Sequence, residues 1–157
     1  MKKVIKILIV VLILILAIFI GRKIYYNAVG VSPHELYIFK ENSDEKINAS
    51  MGAYQWTDKG VTVIADAISP IEIDYIKALE VKSDEKVLFS DDEWTNGSAA
   101  LLIQGKNQEF ANYSIECNAE ENYVVVPDVT PGEYIVKVNL ESEKGKVWYS
   151  FKLNIVD

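Results

Sequence analysis

The sequence predicts a mainly β protein, an antiparallel sandwich of about seven to nine strands behind one transmembrane helix. Three observations predict it. Residues 4–21 read VIKILIVVLILILAIFIG, with no charge from Ile7 to Gly21. Beyond Glu35, apolar residues recur at every second position in short runs split by turn residues. Near the end, Thr130-Pro131-Gly132-Glu133-Tyr134 opens a run of alternating valines.

The first run has the length and chemistry of a membrane anchor. A spanning helix needs about 17 to 25 residues at about 1.5 Å each. Val4 to Tyr25 meets this if Lys6 reaches back to the headgroups along its own stem. Tyr25 and Tyr26 follow where an aromatic belt sits. A cleaved signal peptide is the alternative. It needs small residues at the cleavage site, and Ala28-Val29-Gly30 lies well past the run. No cysteine follows to carry a lipid. Lys2, Lys3 and Lys6 outnumber Arg22 and Lys23, so the N-terminus is expected in the cytoplasm and the domain outside. The expected divisions are a basic stub and anchor at 1–26, a linker at 27–35 and the sandwich at 36–157.

Charge narrows the partners. With 11 basic and 23 acidic residues after Lys23, that remainder carries −12, against −7 for the whole chain. Such a surface repels phosphate backbones, so nucleic acid is not an expected partner. Cys117 is the single cysteine, which rules out an intrachain disulfide and suits a Gram-positive surface protein. Its strand position suggests a buried small hydrophobe.

The strands follow in order. Runs with period two occur at 36–40, 47–56, 61–68, 86–90, 99–104, 109–117 and 122–126. Asp58-Lys59-Gly60, Asn96-Gly97-Ser98 and Pro131-Gly132 punctuate them. Ser69-Pro70-Ile71-Glu72 fits a helix start, so a turn or two of helix is expected there, then an extended piece over 79–82. The last two runs are the clearest. Tyr134, Val136, Val138 and Leu140 share one face, as do Val147, Tyr149, Phe151, Leu153 and Ile155. A glycine-containing loop over 142–146 makes them a hairpin. A tyrosine at the start of the penultimate strand is a feature of Ig-like sandwiches, where its hydroxyl bonds back to the preceding corner. An Ig-like sandwich is therefore the expected architecture.

Few residues invite chemistry. His34 is the single histidine and sits in the expected linker, away from any nucleophile. One histidine and one cysteine do not make a zinc site. Asp91-Asp92-Glu93 could offer oxygens to calcium but does not fit the twelve-residue calcium loop. No carboxylate pair stands out for hydrolysis, and no glycine-rich phosphate loop is present, so neither a cofactor nor a catalytic residue is expected. Gly52-Ala53-Tyr54-Gln55-Trp56 is the most distinctive motif. By alternation Gly52, Tyr54 and Trp56 share a face, and Asp66 follows on the next strand. They form either an aromatic platform with a carboxylate, suited to a sugar or peptide, or a pair of core anchors. Trp148 falls on the polar face of its strand, where a loop covers it or a partner meets it.

Gly52, Tyr54 and Trp56, then Ala65, Asp66, Ala67, Pro70 and Glu72, and weakly Val87 to Phe89, carry a resemblance. With the terminal Tyr134-x-Val-x-Val and Trp148-Tyr149-x-Phe151, the chain resembles small membrane-anchored or lipoprotein-like extracytoplasmic proteins of Bacillus, Clostridium and relatives. Those proteins are themselves uncharacterised, so the resemblance implies a location and a β-rich fold and no activity. Lacking the lipid-bearing cysteine, this chain departs from the lipoprotein members. The expected function is a non-catalytic binding or accessory module for a protein, peptide or cell-wall component, with Tyr54, Trp56, Asp66 and Trp148 as candidate contacts. The alternatives are a regulatory or assembly subunit acting partly through its transmembrane helix, and a carboxylate- or calcium-dependent hydrolase.

Overall fold

The computed structural model describes residues 2–66, 76–90, 93–104 and 110–157. They fall into two compact units, Met1–Ser32 and Pro33–Asp157.

The first unit is one α-helix, α1 (Lys2–Val29). Its side chains are described for residues 9–22, and every one is exposed, including Leu12, Leu16 and Phe19. A helix apolar on all sides has no face reserved for water. Among the described residues no helix is long and apolar enough to cross a membrane. Residues 9–22 alone would reach about 21 Å, short of a bilayer core of about 30 Å.

The second unit is all β. Its strands are β1 (Tyr37–Lys40), β2 (Lys46–Asn48), β3 (Ser50–Asp58), β4 (Val61–Ala65), β5 (Leu79–Lys82), β6 (Lys86–Phe89), β7 (Asn96–Gln104), β8 (Phe110–Ile115), β9 (Cys117–Asn118), β10 (Tyr123–Val125), β11 (Gly132–Ser142) and β12 (Gly145–Val156). The smaller sheet runs β2-β1-β6-β10-β9, and the larger runs β4-β3-β12-β11-β7-β8. Among the described residues all pairings are antiparallel except that of β5, which lies parallel to the end of β12. Inward residues from both sheets make one core, with Ile38, Val87, Val124, Val136, Val138, Leu140, Val147, Tyr149, Phe151 and Leu153 fully buried.

Each expected run forms a strand, 61–68 only as far as Ala65 with 67 and 68 outside the described residues. Residues 79–82 form a strand as well, so the described residues hold twelve strands where about seven to nine were expected. Two expected runs divide. The run 47–56 breaks at Ala49 and the run 109–117 at Glu116, because at each the chain passes from one sheet to the other. Alternation continues across such a corner, so sequence period alone does not reveal it. The helix expected at 69–78 lies mostly outside the described residues.

β12 is the spine of the larger sheet. β11 covers one side from Gly132↔Ile155 to Ser142↔Gly145. On the other side β3 pairs with residues 145–150, and β5 with Leu153 to Val156. Gly145 is required where β3 arrives, since a Cβ there would sit 2.0 Å from the Gln55 carbonyl oxygen. Its φ of +147° also disfavours any side chain.

Candidate functional site

The alternation of β12 sends Val147, Tyr149, Phe151 and Leu153 inward, so Trp148 must face out. It is 39 % exposed. Asn139 of β11 lies directly opposite, and Lys137 is its diagonal neighbour. The Lys137 Nζ stands 3.6 Å from the centroid of the indole ring. Burial holds this ammonium below the usual lysine range. Among the described residues the ring is its one identified partner, a contact worth about 0.5–1 kcal/mol near a surface. The Asn139 Oδ1 is buried without a hydrogen-bond partner among the described residues.

On the other flank β3 carries a bulge. Val147 pairs with Tyr54 but Tyr149 pairs with Met51, so Gly52 and Ala53 together oppose Trp148. Bulges bend a strand and re-aim its side chains, and they collect beside functional sites. An indole and an ammonium with no counter-charge among the described residues thus meet on the outer face of the larger sheet, above a buried amide oxygen. That set suits an apolar body bearing an anionic or hydrogen-bonding group. It contains no paired nucleophile and base.

The candidate contacts do not form one site. Tyr54 and Trp56 pair with Val147 and Gly145 and turn to the core side, opposite Trp148. Trp56 is only 2 % exposed. Its ring packs edge-on to Trp94 at 6.0 Å, and Trp94 packs likewise on Tyr149 at 6.2 Å. The Tyr149 hydroxyl donates to the His34 carbonyl at 2.5 Å, while the His34 side chain is exposed. Tyr54 is half-buried, and Asp66 is exposed just past β4. The bulge also shifts Gly52 out of the alternation, since Met51 and Tyr54, three positions apart, both pair with inward residues.

Glu93 of the acidic run is engaged. Lys144 donates to its Oε2 at 2.8 Å, and that bond and charge hold the carboxyl below the usual range. Asp91 and Asp92 lie outside the described residues. Among the described residues no group of three or more histidine, cysteine, aspartate or glutamate side chains could hold a metal. Cys117 is half-buried, and burial pushes its thiol up to about 11, far from thiolate reactivity at neutral pH. An open depression of about 600 Å³ runs past Glu35, Ile47, Ala49, Met51 and Lys77 and gathers no catalytic set.

Sequence reasoning missed Lys137, Asn139 and Trp94. A signal existed for the first two. Counting back through the terminal hairpin pairs Asn139 with Trp148 and puts Lys137 two positions along on the same face. Trp94 gave no local signal, because its burial depends on strands distant in sequence. No protein-family model matches the chain, and no curated protein matches it.

Proposed function

We propose that this chain is a membrane-anchored, extracytoplasmic, non-catalytic binding or accessory module. Its Ig-like domain docks a protein, peptide or cell-wall component on the outer face of the larger sheet. The carrying observation is Trp148, exposed on that face beside a lysine with no counter-charge among the described residues and a bulged neighbour strand. A large aromatic left in water and flanked by directional polar groups is the usual make-up of a contact surface.

The Ig-like reading is supported by strand order. β12-β11-β7-β8 follows the G-F-C-C′ order of a variable-type sheet, and β6-β10-β9 the B-E-D order of its mate. The Tyr134 hydroxyl donates to the Thr130 carbonyl at 2.6 Å, as a tyrosine corner does. β1 to β4 are then additions on the two open edges. The anchor reading is supported by α1, apolar on every described side and flanked by more lysine before than after. Its topology is single-pass, N-terminus in the cytoplasm. Protease added to intact cells or protoplasts should digest the domain, and protection would reverse the orientation.

The functional test is crosslinking in cells followed by pull-down of the whole chain. Trp148→Ala and Lys137→Ala should each lose the partner while the domain melts as a folded unit. Partner recovery unchanged in both variants would sink this reading. The exposed apolar surface of α1 favours a second reading, a regulatory or assembly subunit of a membrane complex. In that case replacing α1 by an unrelated apolar helix abolishes co-purification and Trp148→Ala does not. A carboxylate- or calcium-dependent hydrolase stands third, weakened by the engagement of Glu93 with Lys144.

A further inference from the structure

The smaller sheet turns Ile38, Val87 and Val124 to the core, so their strand neighbours face outward. The register then lines up one row across all five strands. Lys46 of β2 pairs with Phe39 of β1, and Phe39 with Leu88 of β6. Leu88 pairs in turn with Tyr123 of β10, and Tyr123 with Asn118 of β9. Each ring in the row lies under a lysine. The Lys46 Nζ stands 5.3 Å from the Phe39 centroid. The Nζ of Lys86, diagonal to Tyr123, stands 3.8 Å from that ring's centroid.

Neither ammonium has an ion-pair partner among the described residues. None of the residues that these five strands turn outward is acidic. Carboxylates stand only at the margins. Glu35 accepts from the Tyr37 hydroxyl at 2.6 Å, and Glu116 precedes β9. In a region that carries −12 this face is therefore locally positive. Neighbouring strands lie about 4.8 Å apart, so Phe39 and Tyr123, two strands apart, are separated by about 10 Å. The unit of a ring under a lysine thus occurs twice, one disaccharide length apart.

We propose that this row binds an extended glycan bearing a carboxylate on every second sugar. The surface is separate from that of Trp148, which lies on the other sheet. A sheet face presents side chains and keeps its backbone groups within the ladder. An extended peptide draws affinity from main-chain bonds at an edge, which a face does not offer. A sugar needs none, because its C–H face rests on the negative face of an aromatic ring. A cation–π contact at a surface is weaker than a charge-assisted hydrogen bond. Each lysine therefore passes from its ring to a carboxylate, and a sugar takes its place on the ring. Leu88 fills the step between the two rings. The surrounding −12 repels a polymer charged at every unit, which is why the carboxylates must be spaced.

The probe is an oligosaccharide of alternating glucuronate and N-acetylglucosamine, titrated by calorimetry into the full chain in uncharged detergent. It should bind at least tenfold more tightly than an uncharged N-acetylglucosamine oligomer of equal length, and more weakly as salt rises. Lys46→Gln and Lys86→Gln should each weaken binding about tenfold. Lys59→Gln removes the same charge from an exposed lysine outside the row and should leave binding unchanged. Phe39→Leu keeps an apolar side chain, and it should weaken binding while the domain still melts as a folded unit. A polyglutamate peptide of matched charge should bind less tightly than the glycan. Absent binding, equal affinity for the uncharged oligomer or tighter binding of the peptide overturns the proposal. So do equal losses in all three lysine variants, or an unaffected Phe39→Leu.

Discussion

The Tyr134 hydroxyl closes the corner ahead of β11 by donating to the Thr130 carbonyl, 2.6 Å away and four residues back. The bond spans the turn made by Pro131 and Gly132, whose φ is +156°. It ties the start of the penultimate strand to the loop that feeds it.

Tyr134→Phe removes this bond and little else. A hydrogen bond of this kind contributes about 1 kcal/mol net, which in a domain of this size is a fall of about 4 °C in melting temperature. Thermal melts followed by circular dichroism measure it. An unchanged midpoint would mean that the corner is held by its proline and glycine alone.

The Trp56–Trp94–Tyr149 chain of edge-on rings makes Trp56 a core anchor. Trp56→Ala should cost about 3–5 kcal/mol, the range for emptying a large aromatic site. Trp148→Ala, by contrast, removes a half-exposed ring and its cation contact, at about 1 kcal/mol or less. Denaturant titration of the two variants side by side reads the difference. Equal losses would contradict the assignment of opposite faces.

Gly145→Ala forces a methyl into the Gln55 carbonyl. The nearest atoms are all backbone of β3, which leaves no flexible group to yield. The expected loss is about 3 kcal/mol or more, with the β3–β12 pairing the first to loosen. Hydrogen exchange at Thr57, whose N–H donates to the Lys144 carbonyl, reports that pairing directly.

Cys117 should make stability fall in alkali. Its thiol is raised from 9.0 to about 11 by burial, so the unfolded chain ionises first as pH climbs. The folded state's advantage is complete below pH 9 and drains away between pH 9 and about 11. Tyrosines and lysines titrate nearby, so the readout is the difference between wild type and Cys117→Ala across that window. Parallel pH profiles would refute it.

The terminal hairpin was legible because both its strands keep strict alternation and a glycine marks the turn. The partition of β2 from β3 and of β8 from β9 was not, since a strand that changes sheets keeps its alternation. The bulge at Gly52 and Ala53 was equally silent, for it is defined by the partner strand and not by its own residues. Trp148 could be read as outward from its own strand alone. Its neighbours Lys137 and Asn139 needed the hairpin register, and Trp94 needed the full sandwich. Long-range pairing, rather than local preference, decides which aromatic rings meet water here.

The bond from Tyr149 to the His34 carbonyl has a mechanical consequence. Two residues later Leu36 is buried and its carbonyl accepts from Ala49, and β1 then enters the smaller sheet. A pull on the chain ahead of Pro33 is therefore resisted at once by the spine of one sheet and by β1, paired on both sides in the other. Load arriving there is shared between the layers before any single strand can peel away.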